Sequence, residues 1–212
     1  MIIALGGSSK GGLGKTTLAT SMAHLLKAKL LDIDIRGQLK TIENFREHSS
    51  LEKLDVEYPK NKKDLIKALE KSTKENCIIV DCGGYDSELN RAALAVADLV
   101  ISPCKNSVLE HSSLLEFHEV IAEVSANIKS KIDVHILRNR IHPSTTHFED
   151  FEYISTEFKH FKLLNTVIRQ RADFEKAMES GGSVTELKKY KHSRENKEIK
   201  ALVAEVKSLI KL

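Results

Sequence analysis

The sequence predicts an α/β fold: a single domain over residues 1–212, with a mostly parallel, twisted sheet and helices on both faces. Short runs rich in β-branched and aliphatic residues alternate with longer amphipathic stretches, the pattern of repeated βαβ units. A length of 212 residues with 41% hydrophobic content is enough to bury one substantial core. The polar residues suited to chemistry fall at the ends of the strand-like runs, where open parallel sheets bind their ligands.

Residues 2–5, Ile-Ile-Ala-Leu, read as a buried strand. From 15 to 29 the period becomes helical, with Leu18, Met22, Leu25 and Leu26 on one face. Further strands are expected at 30–33, 54–57, 77–81, 99–103, 132–138 and 163–168. Helices are expected between them, at 62–74, 88–97, 108–128, 148–158, 171–180 and 195–210. No repeat, low-complexity tract or linker interrupts the series, so one domain is expected.

The chain has 33 Lys and Arg against 30 Asp and Glu, a net charge of +3. The overall field is too weak to hold a polyanion, so any nucleic-acid contact must come from a local patch. No apolar run approaches the roughly 20 residues that span a bilayer. The opening Met-Ile-Ile-Ala-Leu runs straight into a glycine loop and leaves no room for a cleaved signal, so a cytoplasmic protein is expected. Cys77, Cys82 and Cys104 include no Cys-x-x-Cys pair, and the nine histidines show no metal-ligand spacing. In a reducing compartment the cysteines read as small buried hydrophobes.

The chemistry is concentrated in Lys10-Gly11-Gly12-Leu13-Gly14-Lys15-Thr16-Thr17, between the first strand and the first helix. A phosphate-binding P-loop requires this strand–loop–helix setting. Gly11, Gly12 and Gly14 let backbone N–H groups converge on phosphate oxygens, and the helix N-terminus adds its dipole. Lys15 can reach the β and γ phosphates of a nucleoside triphosphate, and the Thr16 hydroxyl can ligate Mg²⁺. Ser9 stands where the generic motif has its first glycine. The fold expectation becomes a single P-loop NTPase domain.

Read from Lys10, Lys-Gly-Gly-x-Gly-Lys-Thr-Thr resembles the deviant Walker A motif of the ParA/MinD family of ATPases. The resemblance implies a slow, partner-stimulated Mg²⁺-dependent ATP hydrolase, with ATP bound by residues 10–17. It makes Lys10 the extra lysine that reaches into the neighbouring subunit's site in an ATP-sandwiched homodimer, and Lys10, Lys15 and Asp34 the catalytic set. Leu31-Asp32-Ile33-Asp34 resembles switch I, with Asp34 orienting the attacking water and Asp32 near the Mg²⁺ shell; the continuation Ile35-Arg36-Gly37 departs from the family's Pro-Gln-Gly. Ile78-Ile79-Val80-Asp81 resembles the Walker B strand, with Asp81 holding a Mg²⁺-bound water, and Cys82-Gly83-Gly84 takes the place of switch II. Arg138-Asn139-Arg140 resembles the site of an adenine-contacting residue, and Thr166-Val167-Ile168-Arg169-Gln170-Arg171 a second base-contacting segment. These implicate Asn139, Arg140, Ile168 and Arg169. Because the loop begins at residue 10, no N-terminal helix-turn-helix domain is expected, and the chain resembles the small plasmid partition ATPases of the ParF type.

Two function classes then compete. In DNA segregation, an ATP-bound dimer would bind nucleoid DNA without sequence preference, and a centromere-binding ParB-like partner would stimulate hydrolysis. Lys188, Lys189, Lys191, Arg194, Lys197 and Lys200 offer the local cationic patch, with Arg169 and Arg171 as candidates to extend it. In the alternative, a MinD-like positioning ATPase, Ile199, Leu202, Val203, Val206, Leu209 and Ile210 would lie in a membrane interface. That stripe lacks Phe and Trp, and a terminal helix packed on a sheet has the same period. Core packing is the expectation, with no stable membrane insertion. A metal-cluster reductase shares the loop, but Cys82 and Cys104 show no cluster spacing; tyrosine-kinase relatives carry a C-terminal tyrosine cluster, whereas the last tyrosine here is Tyr190.

Overall fold

Strand β1 (Ile2–Leu5) lies at the centre of a seven-stranded sheet, flanked by β4 (Ile78–Asp81) and β5 (Leu99–Cys104). Beyond β4 lie β2 (Lys29–Asp32) and the two-residue edge strand β3 (Val56–Glu57). Beyond β5 lie β6 (Val134–Ile141) and β7 (Phe161–Arg169). Every neighbouring pair is parallel. This is a computed structural model, and it describes residues 1–7, 11–84 and 86–210.

The inner strands have continuous aliphatic runs because both of their faces are covered. Ile2 and Ala4 join one core with Leu65 of α3 (Lys62–Leu69), Leu94 of α4 (Glu88–Val96), Phe117 of α5 (Val108–Ile128) and Phe151 of α6 (Glu149–Glu157). Ile3 and Leu5 point the other way, into a second core. There they meet Met22 of α1 (Lys15–Leu26), Leu39 of α2 (Gln38–Glu47), Ala177 of α7 (Ala172–Glu179) and Leu202 of α8 (Arg194–Leu209). The chain winds outward from β1 in both directions, so a crevice opens at the carboxyl end of β1.

All seven strands appear where the sequence predicts them, with shifted ends. The helix expected at 15–29 stops at Leu26 because Lys27 turns into the left-handed region at φ 50°. α2 was not expected; only Leu39, Ile42 and Arg46 turn inward from it. The buried Arg46 guanidinium pairs with Glu186 and donates to the carbonyls of Glu52 and, at 2.9 Å, Gly181. It thereby ties the helix after the switch-like segment to the chain just ahead of the basic stretch.

α8 carries the stripe considered for a membrane interface, and that stripe faces inward. Ile199, Leu202, Val203 and Val206 are buried, and the helix packs on α1 and β7. Glu205 accepts from the backbone N–H groups of Asn165 (2.7 Å) and Thr166 (2.9 Å), and Glu198 from that of Arg169 (3.0 Å). The apolar stripe is occupied by the core, and only Leu209 at its end is well exposed. Among the described residues no helix is long and apolar enough to cross a membrane. All three cysteines are buried and free, with thiols pushed up by burial to about 11 (Cys77) and about 12 (Cys82, Cys104), which suits packing rather than reactivity.

Candidate functional site

The loop after β1 enters α1 through Gly14, whose φ of 81° is a left-handed conformation suited to glycine. A side chain there would also crowd Asn139, since a Cβ would lie 2.9 Å from its Nδ2. The first turn of α1 carries no acidic residue, so its N–H groups and dipole face the loop uncompensated. The loop is braced from β6. Buried Asn139 donates through Nδ2 to the Leu13 carbonyl at 2.6 Å, and Arg140 through Nη1 to the Gly12 carbonyl at 3.1 Å. Arg140 reaches it from an unusual backbone, φ 54°, where β6 slips register against β7 between Arg138 and Ile141. A left-handed arginine costs roughly 1–2 kcal/mol and a bulge re-aims a side chain, which is the kind of strain that marks functional positions.

Two adjoining cavities result. One, about 250 Å³, is lined by residues 11–17 of the loop together with Asp34, Arg36, Gln38, Gly84 and Arg140. The other, about 50 Å³, is lined by Gly14, Thr17, Leu18, Asn139, Arg140, Ile168, Arg169, Gln170, Arg171, Phe174 and Glu175. They share Gly14, Thr17 and Arg140. A polar, N–H-rich chamber thus continues into a slot with apolar walls, the outline of a nucleotide's phosphate and base ends.

Beneath the polar chamber sit two carboxylates that the sheet register sets side by side, Asp32 on β2 opposite Asp81 on β4. Thr16 Oγ1 donates to Asp81 Oδ2 at 2.6 Å, and Asp34 N–H to Asp32 Oδ1 at 3.0 Å. Asp81 Oδ1 and Asp32 Oδ2 are buried without a hydrogen-bond partner among the described residues. Desolvation raises the Asp81 carboxyl to about 7, opposed by the Thr16 hydrogen bond and reinforced by Asp32 nearby. It raises Asp32 to about 6, opposed by the Asp34 N–H. Two buried carboxylates with spare oxygens beside a hydroxyl form a hard oxygen donor set, and that set fits a divalent cation such as Mg²⁺. Asp34 lines the chamber half-buried, and its Oδ1 accepts the Arg36 N–H at 3.0 Å.

The structure therefore brings together residues 11–17, Asp32, Asp34 and Asp81 at one end, and Asn139, Arg140, Ile168 and Arg169 at the other. Lys10 lies outside the described residues. Lys188, Lys189, Lys191, Arg194, Lys197 and Lys200 are all exposed and line neither cavity. They do not lie on one helix: Lys188–Tyr190 is a 3₁₀ turn, and α8 starts at Arg194. Arg169 and Arg171, the candidates to extend this patch, have partners within the chain. Arg169 donates to the carbonyls of His142 (3.1 Å) and Thr145 (2.7 Å), and Arg171 pairs with Glu198 (2.8 Å) and Glu195 (3.5 Å). Both guanidinium groups are engaged within the chain. Sequence reasoning missed Arg36, Gln38 and Phe174 as wall residues. In the sequence Arg36 is only a departure from a motif, and Phe174 looks like any apolar residue of a short helix.

Residues 6–184 match the family model described as the CobQ/CobB/MinD/ParA nucleotide binding domain. No curated protein sequence matches the chain significantly. Among solved structures, a Borrelia burgdorferi B31 chain described as a plasmid partition protein and bound to AMPPNP superposes with TM-score 0.67 at 18% identity, over 97% of this chain and 98% of that one. McdA from Cyanothece, in its apo form, superposes with TM-score 0.70 at 16% identity, over 97% and 98% of the two chains. The cell division ATPase MinD of Pyrococcus furiosus superposes with TM-score 0.69 at 16% identity, over 98% of each chain. At these identities the likeness establishes the fold.

Proposed function

Because the chain belongs to the CobQ/CobB/MinD/ParA nucleotide-binding domain family, we propose that it is a Mg²⁺-dependent ATPase of the ParA type that drives DNA partition. The observation that carries the ATPase reading is the Thr16–Asp81–Asp32 cluster, with two buried oxygens unpartnered among the described residues, under an N–H-rich chamber that adjoins a slot with apolar walls. In this reading Gly11–Thr17 N–H groups cradle the phosphates, Lys15 compensates charge on the β and γ phosphates, and Asp34 orients the attacking water. Asn139, Arg140, Ile168 and Arg169 enclose the adenine. Thr16 and Asp81, with Asp32 beside them, would hold Mg²⁺, whose charge offsets that of the phosphoryl oxygens. Lys10 acts on the neighbour's phosphates, so ATP joins two copies of the 1–212 unit and hydrolysis separates them.

Partition is favoured over membrane positioning by α8, whose apolar face is spent on the core while six exposed cations stand at 188–200. That patch contacts DNA phosphates without reading sequence, and a ParB-like centromere-binding partner supplies the sequence choice and stimulates hydrolysis. Localisation on the nucleoid follows from the same contacts. Dimerisation doubles the cationic surface offered to one duplex and adds avidity. The test is retention of non-specific duplex DNA with ATP, with ADP and without nucleotide. ATP-dependent retention is expected, with log K falling against log salt by a slope of roughly −5 for about six phosphate contacts. Replacing Lys189, Lys191 and Arg194 together by Ala should flatten that slope and leave basal hydrolysis intact. Retention on anionic vesicles instead of DNA would overturn the partition reading.

A further inference from the structure

Arg36 occupies the place where the resembling family has glutamine, and it is an exposed residue whose side chain lines the wall of the phosphate chamber. Its guanidinium lies so close over the loop that a Cβ on Gly11 would overlap Nη1; the glycine leaves room for an arginine side chain to cover the loop. It lines the same chamber as Lys15, Thr16 and Asp34.

The backbone carrying it is pinned at both ends. Asp32 Oδ1 accepts the Asp34 N–H at 3.0 Å, Asp34 Oδ1 accepts the Arg36 N–H at 3.0 Å, and the Gly37 N–H closes the turn on the Asp34 carbonyl at 2.9 Å. α2 follows at once, held in the core by Leu39 and Ile42. The position of Arg36 is thus referenced to the carboxylates under the chamber on one side and to a packed helix on the other. Four other arginines form ion pairs, Arg46 with Glu186, Arg91 with Asp86, Arg140 with Glu175 and Arg171 with Glu198, and Arg138 and Arg169 donate to backbone carbonyls. The Arg36 side chain forms no ion pair with any described carboxylate. Its charge is uncompensated by any described carboxylate at the chamber wall, and a planar fork of N–H donors suits phosphoryl oxygens better than a point charge does.

We propose that Arg36 is a catalytic arginine supplied in cis, which binds the terminal phosphoryl oxygens and stabilises the charge on them in the transition state. This rests on the ATPase reading. In the reaction the water oxygen bonds to the γ phosphorus and the bond from that phosphorus to the β–γ bridging oxygen breaks. ADP, inorganic phosphate and a proton are released. Arg36 exchanges no proton; it donates hydrogen bonds to oxygens whose charge is shared out during the transfer. A cation placed within the chain also means that hydrolysis does not depend wholly on a second subunit's lysine.

The test compares wild type with Arg36→Gln and Arg36→Lys. For Arg36→Gln we expect kcat to fall at least about 100-fold, within the reach of an arginine that completes a phosphoryl-transfer site. AMPPNP affinity should change less than about threefold, whereas affinity for ADP with aluminium fluoride, which mimics the transition state, should fall in step with kcat. Arg36→Lys, which keeps the charge but loses the fork, should recover only part of both. Melting curves without nucleotide should coincide, since Arg36 is exposed. Unchanged turnover in Arg36→Gln would overturn the proposal, as would equal losses of AMPPNP and transition-state-analogue affinity. Failure of the ATPase reading itself looks different: the wild type would then neither bind AMPPNP nor turn over ATP.

Discussion

Thr16 Oγ1 and Asp81 Oδ2 are joined by a 2.6 Å hydrogen bond that ties the second residue of α1 to the last residue of β4. It satisfies one oxygen of a carboxylate whose other oxygen has no partner among the described residues. A site organised this way should be sensitive to pH when no cation is bound.

Burial raises Asp81 from 3.8 to about 7. Between those values the folded state holds a proton that the unfolded chain has released, so stability from the protonated group is full below 3.8 and is lost as pH rises through about 7. Asp81→Asn cannot titrate. Without nucleotide or Mg²⁺, its melting temperature relative to wild type should therefore climb between pH 5 and pH 8. A difference that stays flat with pH would show that Asp81 ionises normally.

Asn139→Ala should loosen the loop from the side of β6. It leaves the Leu13 carbonyl without its buried donor, a loss of about 1–3 kcal/mol. Denaturant melts should register this, and nucleotide titration should show weaker binding, because the same residue walls the base slot. A variant with unchanged stability and affinity would mean that the brace is dispensable.

The three residues assigned to catalysis should separate by readout. Lys15→Ala should abolish nucleotide binding or hydrolysis. Asp34→Ala should bind ATP, hydrolyse it slowly and accumulate as a dimer in size-exclusion runs with ATP. Lys10→Ala should keep monomeric ATP binding and lose ATP-dependent dimerisation in sedimentation. A Lys10→Ala protein that still dimerises with ATP would be an ordinary P-loop NTPase in this respect.

Leu202→Ala should cost roughly 2–5 kcal/mol of folding stability, the usual range for a large-to-small change at a fully buried site. Neither it nor the wild type should co-sediment with anionic vesicles. Vesicle binding that the substitution weakens, with no loss of stability, would return α8 to the membrane reading.

The strands were legible because most are short runs of aliphatic residues separated by longer amphipathic stretches, the pattern left by parallel strands buried on both faces. The glycine loop with Lys15 and Thr16 stood out in the sequence because phosphate binding would demand those residue types between a strand and a helix. α2 was not, since Gln-Leu-Lys-Thr-Ile-Glu-Asn-Phe-Arg-Glu turns only two aliphatic residues inward and its third inward residue, Arg46, is charged. The cavity walled by Asn139, Arg140, Ile168 and Arg169, to which we assign the base, left a trace only through family resemblance. The left-handed backbone at Arg140 and the slipped register of β6 leave no mark in composition or periodicity, because arginine has no preference for that conformation. The covering of Gly11 by Arg36 is a contact between two loops 25 positions apart, and periodicity carries no information about it.

The pairing of β1 also governs when the site can come into being. Ile2 is opposite Ile78, and Ile3 is opposite both Ile79 and Leu99, so β1 lacks these partners until synthesis has passed residue 78 on one side and 99 on the other. At ribosomal speeds of roughly 5–20 residues per second, the aliphatic strand and its glycine loop wait on the order of ten seconds as an unpaired edge. The loop's braces on β6 and the walls from β7 arrive later still. Such non-local pairing slows folding and leaves the nascent β1 segment exposed to wrong partners. The protein's vulnerable moment is thus during synthesis, and its yield in a cell should respond to chaperone supply and translation rate.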